Sequence, residues 1–509
     1  MNTTSRILLN TTILYLKVIF TTIISLYLTR VVFNVLGVED YGLYSLIAGV
    51  VSFMSFLNTA LMSSTQRFLS VAIGEKNTCS IRQIFSSSII MHLVLALIIV
   101  IIIELASFFL FADILNIPSG REKTAIVVLH IMVATTFFTI LSAPYNAAIN
   151  SYEDMWFFAI VEIFASILKL CVIWGFQYIT IDHLVLYTGW IFVITLICYI
   201  VKIVWCHVKY QDIRYTSKDL TDSKATIKSM IGFIGWNTMG AFAVILRNQG
   251  VAIVLNIFFT TAINAVYGIA NQVSSQLSYF SQMMTTSMTP QIMKSKGENN
   301  EDRLIYLSCL TSKLSYFLST LFAIPLIINI DFVLDIWLGE APKFANYYCI
   351  TSIIIFLIMQ LYPGLNRAIQ ADGRIKSYNI WLTIIMLLPI FISGILFMTG
   401  ISHKVIMIMM IIAQVAIMIL TIESCNKLIR FSTKNYYKFI IKAIVTSIGI
   451  ISICLLIKSL YSETTGWHVP IMTTIISITL CCATFYSIIL SAKEQTQIKI
   501  IIKNLIKHD

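Results

Sequence analysis

In the stretch GFIGWNTMGAFAVILRNQGVAIVLNIFF, residues 232–259, almost every side chain is apolar, yet Arg247 places a permanent cation in its second half. If the stretch is a helix, Arg247 lies roughly 16 Å from its outer end at the usual rise. That is long for a side chain to reach the interface. An arginine at such depth costs at least about 2.5 kcal/mol, and it faces protein or water rather than lipid. At helical spacing its face reads Trp236, Gly240, Ala243, Arg247, Gly250 and Val254. Small residues around a guanidinium leave room for a ligand, and they equally permit close helix packing. A cavity cation and a structural ion pair are therefore both open. The guanidinium fork suits a phosphate or pyrophosphate because it binds two oxygens at once.

Other polar residues share this setting. Asn10, Lys17, Thr21, Ser25 and Thr29 fall on one stripe of the first apolar segment, and Arg30 stands nearer its outer end. A polar stripe of that length faces a wet cavity or another helix; for Arg30, reaching out to the interface explains it equally well. Glu162, Ser166 and Lys169 share one face of the fifth segment, where Glu162 and Lys169 could pair, or the carboxylate could titrate and couple transport to an ion. Glu104 and Lys313 read as lone intramembrane charges and as further candidates for ion coupling. Asn248, Asn271 and Gln272 could bond sugar hydroxyls, or simply neighbouring helices.

The elements that must position these residues are membrane helices. The chain has 509 residues, 58% hydrophobic and 12% charged, against roughly a quarter charged in a soluble domain. Apolar runs between polar breaks predict fourteen spans: 7–35, 40–66, 83–111, 122–149, 155–179, 184–206, 226–258, 262–293, 304–330, 344–369, 375–400, 404–426, 437–460 and 469–492. The start shows no small-residue cleavage site, so the first helix is expected to remain in the mature protein. Of the 35 Lys and Arg, Arg30, Arg121, Lys123, Lys343, Lys404 and Lys458 fall on one side and most others, Arg367 among them, on the opposite side. This bias places both termini in the cytoplasm and accounts for the net charge of +11 without nucleic acid. Pro144, Pro290, Pro325, Pro363 and Pro389 lie in or near spans and can kink them. The ten cysteines show no C-x-x-C spacing and His is sparse, so neither a disulfide frame nor a metal site is expected. No phosphate-cradling Gly-Lys-Ser/Thr motif is present, so ATP is not expected to drive the protein directly.

The chain also repeats itself. YSLIAGVVSFMSFLNTALMSSTQRFLSVAIGEKN from Tyr44 aligns with YGIANQVSSQLSYFSQMMTTSMTPQIMKSKGENN from Tyr267, at an offset of 223 without a gap. NAAINSYED from Asn146 aligns with NRAIQADGR from Asn366 at an offset of 220. The expected organisation is a six-helix lobe over 1–210, a cytoplasmic linker over 211–225, a second six-helix lobe over 226–430, and two extra helices with a basic tail over 431–509. Transporters built from repeats bind substrate between them.

The segments TRVVFNVLGVEDYGLYSL, SSTQRFLSVAIG, GWNTMGAFAVILRNQGVAIVLN, NAVYGIANQV and TPQIMKSKGE together resemble O-antigen and capsular polysaccharide flippases (Wzx-like) of the multidrug/oligosaccharidyl-lipid/polysaccharide (MOP, MATE-like) exporter superfamily. The resemblance implies an all-α polytopic fold, with two six-helix lobes in a V around a central basic cavity. It implies transfer of an undecaprenyl-pyrophosphate-linked oligosaccharide across the bacterial cytoplasmic membrane. Lys17, Arg30 and Arg247 are then the cations on the first helices of the two lobes that hold the pyrophosphate. No enzymatic step and no cofactor are expected beyond an H⁺ or Na⁺ gradient. Polysaccharide polymerases and glycosyltransferases are the expected partners, besides membrane lipid. The competing reading is a cation-coupled multidrug exporter of the same fold. Many such exporters carry a carboxylate on the first helix, whereas residues 7–35 here contain Lys17 and Arg30 and no Asp or Glu. A membrane polymerase or ligase would need a sizeable outer loop carrying acid–base groups, and the outer connections, such as 331–343, are short. A non-transporting scaffold would not need charges inside both lobes.

Overall fold

The computed structural model describes the chain from Thr3 onward, except residues 53–54, 110–119, 176–181, 214–223, 260, 339–341, 462–466, 492–493 and 497–509, and except a number of side chains, chiefly within residues 3–56. It is a succession of helices, with no strand among the described residues. In chain order they are α1 (Thr3–Ser52), α2 (Ser55–Gly74), α3 (Thr78–Phe109), α4 (Glu122–Ser151), α5 (Met155–Gly175), α6 (His183–Lys209), α7 (Lys224–Phe258) and α8 (Thr261–Gly297). There follow α9 (Glu301–Ile328), α10 (Ile330–Leu338), α11 (Ala345–Met359), α12 (Pro363–Asp372), α13 (Lys376–Met398), α14 (Val405–Ile429), α15 (Thr433–Leu460) and α16 (His468–Thr484). Among the described residues nine helices are long and apolar enough to cross a membrane, and α11 with α12 makes a tenth, broken span bent by 46°. The remaining expected spans coincide in position with α1, α2, α5 and α8. The protein is a polytopic helical membrane protein.

Three boundaries differ from the expectation. The polar residues near Asp40 do not break the first helix; α1 runs through them to Ser52, with Asp40 bonded to Arg121. Residues 331–343, expected as loop, begin with the nine-residue α10, whose apolar residues occupy one face and bury Ile330 and Leu334. The span 344–369 is two helices, because Pro363 has no N–H to donate and is placed at the first turn of a new helix. Pro144, Pro290, Pro325 and Pro389 stay inside continuous helices.

The chain forms two compact units, dividing within α7 and α8: residues 8–241 with 293–299, and residues 242–292 with 300–509 and 1–7. In the first unit α4 packs against α6, α3 and α2, around buried Leu69, Phe85, Ala148 and Ile149 in one cluster and Ile99, Val128 and Leu129 in another. Arg121, ahead of α4, bonds both Asp40 of α1 and Asp182. Asp182 also caps α6, accepting from the backbone N–H of Leu184 at 3.0 Å. Desolvation pushes the Asp182 carboxyl upward, but its bond to Arg121 outweighs this and holds it below the usual carboxylate range.

In the second unit α9 packs against α12, α16 and α15 along a row of small polar residues, including Ser308, Thr311, Ser312, Ser315 and Ser319, all buried. Such side chains let helix backbones approach closely. Gly364 shows how closely: a Cβ there would stand 1.9 Å from the Ser308 carbonyl oxygen, while the Gly364 N–H donates to Ser312 Oγ at 3.1 Å.

The repeat is structural down to single hydrogen bonds. Lys76 and Asn299, 223 apart, are both left-handed, at φ 56° and 53°. Asn77 accepts from the Ser80 N–H, and Asn300 from the Arg303 N–H, both at 3.0 Å. A Cβ on Gly74 would meet the Lys294 carbonyl oxygen at 2.2 Å, and one on Gly297 would meet that of Val71 at 2.0 Å.

Candidate functional site: intramembrane cations

Arg247 is half-buried in the fold. Its Nε and Nη2 donate to Oδ1 of the neighbouring Asn248, both at 3.2 Å. Among the described residues no carboxylate pairs with it, and the groups in electrostatic reach are the tyrosines Tyr267 and Tyr362. The Tyr267 hydroxyl is buried, lies beside Asn271, and makes no hydrogen bond of good geometry among the described residues. Gln272, the third candidate glycan contact, is exposed. The structure therefore gathers Arg247, Asn248, Tyr267 and Asn271 from α7 and α8 around an unneutralised guanidinium.

Lys17 is in a different state. Its Nζ pairs with Glu162 of α5 and stands 4.7 Å from the centre of the Phe158 ring. Lys202 of α6 is buried against the same ring, at 5.5 Å. The sequence pointed to Lys169 as the partner of Glu162; the structure brings Lys17 there instead, and Lys169 makes no ion pair among the described residues. Along the same stripe Asn10 donates to the Glu153 carbonyl at 3.3 Å, and the Thr21 hydroxyl donates to that of Lys17 at 2.9 Å. The side chains of Thr29 and Arg30 lie outside the described residues.

The two charges expected to be lone are not. Glu104 meets His130 Nδ1 at 2.9 Å, with both side chains substantially exposed. Lys313 donates to both carboxylate oxygens of Glu494 at 2.9 Å. Sequence separations of 26 and 181 residues hid both pairs.

One cation escaped the sequence reading altogether. Arg367 of α12, counted above as a cytoplasmic-side charge, is half-buried and lines a cavity of about 250 Å³ in the second unit. Its sequence signal was weak: NRAIQ repeats the position of NAAIN in the first half, but there Arg367 corresponds to an alanine.

Comparison with solved structures places the fold. An outward-facing multidrug resistance MATE transporter of the MOP superfamily superposes with a TM-score of 0.72 and 15% identity, over 83% of this chain and 95% of that one. A Vibrio cholerae MATE transporter gives 0.68 and 16% identity, over 85% and 98%. A MOP-superfamily transporter from Pyrococcus furiosus, reported with a reversed polarity of its binding pocket suggesting a different function, gives 0.69 and 16%, over 83% and 95%. No protein-family model and no curated protein matches the chain. The fold is that of the MATE transporters.

Proposed function

We propose that the protein moves a polyprenyl-pyrophosphate-linked oligosaccharide across the bacterial cytoplasmic membrane by alternating access, as a member of the MOP superfamily. The observation that carries this reading is Arg247: a guanidinium inside a span, with an amide and tyrosines around it and, among the described residues, no acid. A pyrophosphate supplies the missing negative charge, and the amide and hydroxyl groups suit a sugar next to it. The P. furiosus transporter's reversed pocket polarity makes it credible that this fold carries substrates of a different charge.

A cation-coupled multidrug exporter is the second reading. Glu162 favours it: this carboxylate is partly exposed and bound to Lys17, a pair that proton binding would break.

The deciding experiment uses cells lacking the protein, complemented with wild type or variants. Polyprenyl-pyrophosphate glycans are assigned to a leaflet and surface polysaccharide is quantified. Complete repeat units held on the cytoplasmic face, with surface glycan lost, are expected without the protein and with Arg247→Ala. Normal surface glycan with both Arg247→Ala and Lys17→Ala, at normal expression, sinks the flippase reading.

A further inference from the structure

Lys343 and Lys404 belong to the sparser of the two sets of cations, on the side where membrane proteins tend to avoid Lys and Arg. They are far apart in sequence, yet both ammonium groups lie over the Phe344 ring, 5.3 and 5.1 Å from its centre. Lys404 is also 5.2 Å from the centre of the Tyr347 ring. One ring thus gathers two like charges within about one Debye length of each other, roughly 10 Å at 0.1 M salt. Neither lysine makes an ion pair among the described residues. Two other cations of that set have structural work: Arg121 meets two aspartates, and Lys458 donates to the Ile328 carbonyl at the end of α9 at 2.8 Å.

The ring between the lysines is fixed in place. Phe344 is left-handed, at φ 75°, a conformation that bulky L-residues avoid, and such strain collects at ligand clamps and switches. His403 packs edge-on against it, with ring centres 4.8 Å apart. The hydroxyl of buried Tyr348 holds His403, 3.1 Å from Nδ1. The Tyr347 hydroxyl donates to the Lys404 carbonyl at 3.1 Å and ties the start of α11 to that of α14. A lysine at the end of a span ordinarily extends its ammonium into water; here two are gathered over one ring.

The spans set the depth. α13 ends at Met398, α14 begins at Val405, and Ala345 opens the broken span. The two lysines therefore stand where apolar helices end, at the level of lipid headgroups. Met398 and Ile401, shortly before Lys404, are 76% and 38% exposed and present an apolar surface next to the charges. We infer that Lys343 and Lys404 bind the phosphodiester of an anionic phospholipid, whose acyl chains cover Met398 and Ile401. The phosphate supplies the negative charge that the pair lacks among the described residues, and the Phe344 ring keeps both ammonium groups turned to it. The site goes beyond the transport reading: it takes a lipid of the bilayer rather than cargo, and it uses neither Arg247 nor Lys17.

The test is native mass spectrometry of the purified full-length protein in detergent, titrated with phosphatidylglycerol or with phosphatidylcholine of the same acyl chains. Phosphatidylglycerol is expected to fill its first site at least tenfold more tightly than phosphatidylcholine. Lys343→Gln together with Lys404→Gln is expected to remove one bound phosphatidylglycerol per chain and to abolish that preference. Phe344→Ala should weaken the site a few fold. Lys434→Gln together with Lys438→Gln, at exposed positions of α15, removes the same charge elsewhere and should leave the site intact. Should the variant lacking both lysines fail to fold, Lys343→Gln alone, at an exposed position, must still weaken the binding. Equal affinity for the two lipids overturns the site, as does its survival without the two lysines or an equal loss in the α15 variant. Displacement of the bound lipid by glycerol 3-phosphate at matched concentration overturns the assignment to a lipid.

Discussion

Deep inside the first helix of each repeat stands one cation whose surroundings the structure describes, and the two are treated oppositely. Lys17 of α1 is matched by Glu162; among the described residues Arg247 of α7 meets only neutral groups. Elsewhere in the first unit the same matching holds for Arg121 with Asp40 and Asp182, and for Lys294 with Glu153. In the second unit Lys313 has its Glu494, but among the described residues Arg247 and Arg367 do not have an acid. Depth alone therefore does not mark a ligand-binding cation. On the proposed reading, what separates the two kinds is whether the fold has already spent a carboxylate on the charge.

This contrast can be broken by substitution. The largest effect is expected for Arg247→Met: a tenfold or greater loss of surface glycan with no loss of thermal stability, because a half-buried charge without an acid partner among the described residues is removed. A drop in stability would make Arg247 a structural residue, and the contrast would fail. Glu162→Gln should act in the opposite direction and destabilise. Breaking a buried pair costs about 3–5 kcal/mol, and the partial exposure of Glu162 lowers the expectation to about 1–2 kcal/mol. A double variant, Lys17→Met with Glu162→Gln, should recover most of that loss, as read by melting temperature in detergent. Gly297→Ala should cost about 1–3 kcal/mol through overpacking against the Val71 carbonyl, leaving both cations as they are.

The smallest effect is a pH dependence. The folded Asp182 carboxyl sits below its unfolded value, so its contribution is complete above the ordinary carboxylate range, near pH 4, and fades as pH falls through the lowered folded value. Arg121→Met should remove this acid limb of the stability profile. An unchanged profile would show that the Arg121 network does not set it.

Much of the fold was legible because its signals are local or periodic. Apolar runs of span length gave the helices, and the 223-residue offset gave the repeat, since GEKN and GENN terminate α2 and α8 with the same turn. Partners were harder to read. Lys17 and Glu162 lie on different helices, and helical spacing within α5 favoured Lys169. The break at Tyr362–Pro363 was signalled by its proline, but the partial burial of Arg367 was not. A cation four residues past a proline, close to a polar loop, reads as a surface charge until the helices packed over it are known.

The glycine crossing of α2 and α8 is symmetric. Gly74 meets the carbonyl at 294 and Gly297 meets that at 71, positions that exchange under the 223-residue offset. Reciprocal contact of this kind is what two copies of one chain make across a two-fold axis. The pair is arranged as a homodimer's two-fold contact would be, within a single polypeptide. The symmetry of this crossing does not extend to charge: among the described residues a lysine with its acid in one half coexists with an arginine without one in the other.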